Sequence, residues 1–187
     1  MWVEIVGLPG VGKSTMIERQ LGAFRRHFEV IESRTPSVIH RVIARFWYHI
    51  YFATRLNDKC LAKKLAYRMS FRTMLMRKKP VLFYDSGLLQ AVLENLIDTD
   101  FADLEHKIRV LRHLHLPDRI VYVEDDPNMV SKREIGRAVR RFLVDSKTLT
   151  DRYRTAKDIL ESRMLSLIGL IYKVKSGSEI NIAELIQ

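Results

Sequence analysis

The sequence predicts an α/β fold: a three-layer sandwich whose five-stranded parallel sheet carries helices on both faces. Three observations lead there. Short β-branched runs alternate with stretches of 20 to 50 residues that read mostly as helix. A glycine-rich segment follows the first of these runs at once and opens a helix. The composition, 47% hydrophobic and 29% charged over 187 residues, is that of a globular chain able to bury one core. A single domain over residues 1–187 is expected.

Taken in order, the strands are Trp2–Val6, Phe28–Ile31, Val81–Tyr84, Ile120–Val123 and Ile171–Val174, each close to normal strand length. A helix begins near Lys13. Residues 34–79 form a helical insert between the second and third strands. A helix over Gly87–Ile97 follows the third, and Asp85 or Ser86 could provide its N-cap as an alternative to a role in chemistry. Residues 126–147 form a helical lid after the fourth strand. Gly169 and the turn at Lys175–Ser178 separate the last strand from its neighbours, and Ser178 caps a final helix over Glu179–Ile186. Val42–Ala53 is apolar nearly all round and is expected to be core or a helix-packing face; a membrane-facing or dimerising patch is the lesser alternative.

Composition excludes several classes. One cysteine, Cys60, rules out an intramolecular disulfide framework and a cysteine-based zinc site, and suits a reducing cytoplasm. No uncharged run approaches the ~18–20 residues that span a bilayer, and Glu4 interrupts what would otherwise be an apolar start.

The net charge of +10 is unevenly spread. Residues 34–79 hold 12 Lys and Arg against one acid, Asp58, so the rest of the chain is close to neutral. Such a field suits a phosphorylated small molecule, a nucleic acid or an anionic surface; a solvated helix face is the bland alternative.

The most specific feature is Gly7-Leu8-Pro9-Gly10-Val11-Gly12-Lys13-Ser14, followed by Thr15, a full match to G-x-x-x-x-G-K-[ST] in its strand-to-helix setting. Glycines bring backbone N–H groups close to phosphates, and the helix N-terminus adds positive potential. Lys13 reaches the β- and γ-phosphates, and Ser14 offers a hydroxyl to Mg²⁺. The motif gives a nucleoside-triphosphate site without separating a kinase from a GTPase or ATPase.

Three features favour a kinase. Asp85 ends the third strand, where a parallel sheet lines its crevice, and can organise Mg²⁺ or take a proton from a hydroxyl. Arg133 and Arg137, with Arg140 or Arg141, share a helical face in the lid and can spread transition-state charge. The insert places Arg41 and Arg45, and Arg68 and Arg72, four residues apart, where an acceptor could bind; the guanidinium fork suits phosphate.

On these residues the chain resembles the thymidylate kinase and nucleoside/nucleotide kinase family. Residues 7–15 look like the family's nucleotide loop. Val30-Ile31-Glu32-Ser33-Arg34-Thr35-Pro36 is similar to the strand ending in Arg-Glu-Pro, which implies that Arg34 holds an acceptor phosphate. Ala66-Tyr67-Arg68-Met69-Ser70 resembles the helix whose arginine does the same. Val121–Pro127 and the arginines after it look like the family's strand and lid. Tyr172–Ile186 looks like its last strand and helix, which implies that Ser176 and Gly177 lie beside an adenine. Thr35 stands where the family has Glu, and Asp85 is followed by Ser86 and Gly87 where it has Arg; these departures imply a divergent acceptor.

The expectation is thus a phosphotransferase using ATP and Mg²⁺. Lys13, Asp85, Arg133 and Arg137 are the catalytic candidates, and Ser14 and Asp85 the metal ligands. Arg34, Arg68 and Arg72 bind the acceptor; the loop, Arg137, Ser176 and Gly177 bind the nucleotide. The arginines tilt the acceptor toward a nucleotide or other anionic metabolite, with a hydroxyl acceptor using Asp85 as base the alternative. The partners expected are this small molecule and a second copy of the chain. A nucleic-acid-binding module that is not a kinase is the rival; its aromatics would interleave with Lys and Arg, whereas here they stand in one block at 46–52.

Overall fold

In the computed structural model, residues 1–27, 29–31, 39–75, 82–84, 87–133, 146–181 and 184–185 are described. The strands are β1 (Trp2–Val6), β2 (Glu29–Ile31), β3 (Leu82–Tyr84), β4 (Arg119–Glu124) and β5 (Ile171–Lys175). The helices are α1 (Lys13–His27), α2 (Ile39–Ala53), α3 (Lys59–Leu75), α4 (Leu88–Asp98), α5 (Leu104–Arg112) and α6 (Ser146–Ile159). A π-helical turn (Leu160–Met164) and a 3₁₀ turn (Leu165–Leu167) lead from α6 to β5. The strands pair in parallel in the order β2-β3-β1-β4-β5. The α/β class with a parallel sheet is therefore as the alternation predicts.

This order puts β1 at the centre. Chain connections diverge on either side of it, toward β3 and toward β4, so the C-terminal end of β1 opens into the crevice where such sheets bind ligands. All five residues of β1 are buried, as expected of a strand covered on both faces.

Helix α4 is the most enclosed of the helices: every residue from Leu88 to Ile97 except Glu94 is buried. It packs on β1, α3, α5 and α6. The core runs from Trp2, Ile5 and Tyr122 on the sheet through Leu88, Leu89 and Leu93 of α4 to Leu61 and Leu65 of α3. Asp58 caps α3 by accepting the Leu61 N–H at 2.9 Å and also accepts Asn95 Nδ2 of α4 at 2.7 Å, tying the two helices together.

Helix α2 has the expected helix-packing face but is not core all round. Phe52 is buried and Tyr48 and Tyr51 are half-buried, and the helix packs on α3. Val42, Phe46, Trp47 and Ile50, however, are 60, 60, 66 and 40% exposed. With one helical neighbour, a helix can bury only one side. Gly87 is the N-cap residue of α4, and Asp85 and Ser86 lie outside the described residues. The helix expected over Glu179–Ile186 needs correction: residues 179–181 are not helical, and among the described residues helix is seen at 184–185.

Candidate nucleotide-binding site

Residues 7–12 leave β1 without regular structure, and α1 starts at Lys13. Gly10 and Gly12 adopt φ of +83° and +95°. This left-handed backbone is closed to most side chains and lets successive N–H groups face one concavity. The first helical bond, Met16 N–H to the Gly12 carbonyl at 2.9 Å, aims the start of α1 at the same place. Lys13 Nζ folds back to donate to the carbonyls of Gly7 and Leu8 at 3.1 and 3.2 Å. A cation held over a nest of N–H groups is suited to receiving a polyphosphate.

A cavity of about 770 Å³ lies over this loop. Gly10, Val11, Gly12, Lys13, Ser14 and Thr15 form one wall, and Arg133, Ser176 and Gly177 another. The two walls are fastened together. Ser176 Oγ donates to the Val11 carbonyl at 2.8 Å, and Ser176 N–H donates to Glu124 O at the end of β4 at 2.9 Å. Arg133, on the helical stretch 127–133, pairs with Asp125 at 2.6 Å and reaches Ser176 Oγ at 3.5 Å. The turn after β5, with Ser176 and Gly177, and the helical stretch after β4, with Arg133, are thus brought to the glycine-rich loop. Ser14 and Thr15 are exposed to the cavity. The Ser14 hydroxyl beside Lys13 is a hard oxygen donor, which fits Mg²⁺.

Arg68 lies elsewhere. Its Nη1 donates to the Gly87 carbonyl at 2.5 Å, just before α4. Arg72 is on α3; its side chain is outside the description. Arg34, Asp85 and Arg137 lie outside the described residues, as do most of the lid and the resemblance carried by Arg34–Pro36.

The structure adds two residues that the sequence reading did not select. Glu4, fully buried in β1, accepts the N–H of Leu88 at 3.0 Å and that of Gln90 at 2.9 Å. It is the cap of α4, delivered from another strand. Buried Gln90 in turn accepts the Gly7 N–H at 3.1 Å and donates to Glu94 at 2.9 Å. Burial raises the Glu4 carboxyl to about 7, against the pull of those N–H groups and of the Arg68 charge. The one available signal was a carboxylate inside an otherwise apolar strand.

This contact also explains Gly87. Its φ of −85° is open to any residue, but a Cβ there would lie 2.2 Å from Glu4 Oε2 and 2.6 Å from its Cγ. Gly87→Ala should cost ~1–3 kcal/mol of stability by overpacking a site that cannot relax. Urea unfolding monitored by circular dichroism measures this; an unchanged midpoint would refute the contact.

No family model matches the chain, and no curated protein does. Among solved structures, the deoxyadenosine kinase of M. mycoides with bound dATP superposes with a TM-score of 0.59 at 13% identity, covering 100% of this chain and 97% of the other. The same enzyme with the products dCMP and dCDP bound gives 0.58 at 14% identity, covering 100% and 96%. In its fold this chain is similar to that deoxyadenosine kinase over its whole length.

Proposed function

We propose that this protein is an ATP- and Mg²⁺-dependent phosphotransferase acting on a small-molecule acceptor. The supporting observation is the convergence on one cavity of the phosphate loop, Lys13, Ser14, Arg133 and the Ser176–Gly177 turn. The loop N–H groups and the N-terminus of α1 bind the triphosphate. Lys13 exchanges its two loop carbonyls for phosphate oxygens. Ser176 and Gly177 border the base end of the nucleotide. Arg133, and Arg137 on the lid, bring positive charge to the phosphoryl group in flight. Ser14 and Asp85 hold the metal, which when bound neutralises charge on the β- and γ-phosphates.

Two considerations shift the acceptor toward a hydroxyl compound of the nucleoside class. Arg68 is committed to the Gly87 carbonyl and to the field of Glu4, so it is less available to an acceptor phosphate than the sequence suggests. The fold is that of proteins named deoxyadenosine kinases. In this reading Asp85 takes the hydroxyl proton. The acceptor preference of the sequence reading, a nucleotide or other anionic metabolite, is the competing case. A homodimer, the other partner expected, would form on the exposed apolar stripe of α2.

The test is transfer of label from γ-³²P-ATP, with Mg²⁺, to deoxynucleosides and, separately, to nucleoside monophosphates and sugars. Label on a deoxynucleoside that depends on added acceptor is the expected result. Label on monophosphates alone would reinstate the anionic acceptor. No label on any acceptor, with only hydrolysis to free phosphate, would overturn the kinase reading.

A further inference from the structure

We propose that Glu4 is a positioning residue for phosphoryl transfer: from inside the central strand it sets where the start of α4 and Arg68 stand relative to the phosphate loop. The assignment rests on the phosphotransferase reading above. Three chain segments meet on this one side chain. Its two oxygens take the Leu88 and Gln90 N–H groups and so fix the first turn of α4. Gly87, pressed against the carboxylate, has no room for a side chain. Arg68 of α3 faces the same charge and holds the Gly87 carbonyl. From Gln90 the connection continues to the Gly7 N–H, the first residue of the phosphate loop. A displaced α4 start therefore moves Gly87 and Arg68 together with respect to the loop.

The chemistry is unusual for a purely structural group. A buried carboxylate near an arginine is held in place by two N–H donors, yet burial dominates and raises its pKa to about 7. Among the described residues the charged group facing it is Arg68 from α3, and its polar contacts are the backbone N–H groups of residues 88–90 from α4. In the sheet, Tyr84 of β3 and Ile120 of β4 stand in register with it. The ionised form offers two strong acceptors to the two N–H groups; protonation makes one oxygen a donor and a weaker acceptor. Ionisation thus seats α4 correctly. The same ionisation works against stability, because a folded-state pKa raised above the unfolded value of 4.5 means that the folded form prefers the proton. The contribution of this group to stability is present below about pH 4.5 and is lost as pH rises through about 7.

Positioning and mere structural support therefore give opposite signatures. The experiment compares wild type and Glu4→Gln in label transfer to deoxyadenosine and in thermal unfolding from pH 5 to 8.5. In the wild type, kcat should rise through the Glu4 midpoint while the unfolding temperature falls relative to the variant. Glu4→Gln presents one acceptor and one donor at every pH, like the protonated acid. Its kcat should be lower on the order of 10²-fold above that midpoint, as for a reacting group misplaced by about 1 Å. Its kcat should lose the wild-type step, and its affinity for a non-hydrolysable ATP analogue should hold. Equal kcat in the two proteins, or kcat and stability falling together, would overturn the proposal.

Backbone NMR of the wild type across the same range decides the matter without activity and without the variant. The Leu88, Gln90 and Gly7 amides and the Arg68 side chain should titrate with one shared midpoint. Separate midpoints, or a silent Gly7, would overturn it. Absence of transfer to any acceptor by the wild type would count against the kinase reading, and the shared midpoint would still decide the role of Glu4 in joining α4 to the loop.

Discussion

Lys13→Ala is expected to lower phosphoryl transfer by ~10²–10³-fold, the loss typical of removing one preorganised charge stabiliser from a transition state. The fold should survive. Lys13 is only half-buried and lines the cavity. Its removal should change stability by no more than ~0.5 kcal/mol, as for surface sites away from buried networks. A non-hydrolysable ATP analogue should bind more weakly, and the stabilisation it confers on thermal unfolding should shrink accordingly. Single-turnover transfer beside thermal unfolding measures both quantities. A variant with near-normal transfer would refute the assignment of residues 7–15 as the triphosphate site.

Asp85→Asn has the second-largest expected effect and separates the two acceptor classes. The change removes a charge and a base at nearly constant shape. With a hydroxyl acceptor, loss of the base should cost ~10²–10⁴ in kcat, and added Mg²⁺ should not restore it. With a phosphate acceptor no proton need be taken, so the defect should come through metal binding and recover partly at high Mg²⁺. Arg34→Ala is the complementary variant. A phosphate acceptor would lose a charge-assisted contact of ~1.5–3 kcal/mol, raising acceptor KM at constant ATP KM; a hydroxyl acceptor should leave it unchanged. Arg68→Ala is a poorer probe, because Arg68 also holds Gly87 and faces Glu4. A large Asp85→Asn defect that Mg²⁺ does not rescue, with unchanged acceptor KM in Arg34→Ala, is the expected pair.

The phosphate loop was legible because its meaning is local. Gly10 and Gly12 mark left-handed backbone, Lys13 and Ser14 follow at fixed spacing, and the strand and helix on either side show their own periodicities. Ser176 and Gly177 entered through a resemblance and Arg133 through its helical spacing after β4; neither could say that residues 133 and 176 share one wall. The outer face of α2 was not legible, because a run apolar on every side does not say how many neighbours the helix has. Packed on α3, it leaves Val42, Phe46, Trp47 and Ile50 on its outer face.

The sequence by itself determined the alternation of strand and helix, the parallel sheet and the glycine-rich loop between β1 and α1, since each follows from propensities and spacings along the chain. The tertiary structure alone decided the cap of α4. The Leu88 N–H finds its acceptor on Glu4, 84 residues earlier in the chain. Parallel pairing of β1 with β3 carries Tyr84 into register with Glu4, and α4 starts four residues beyond Tyr84. The chain therefore returns to the carboxylate it left behind. A buried helix start must find acceptors for its N–H groups wherever the fold supplies them, and here the fold supplies them from the strand that also carries the phosphate loop.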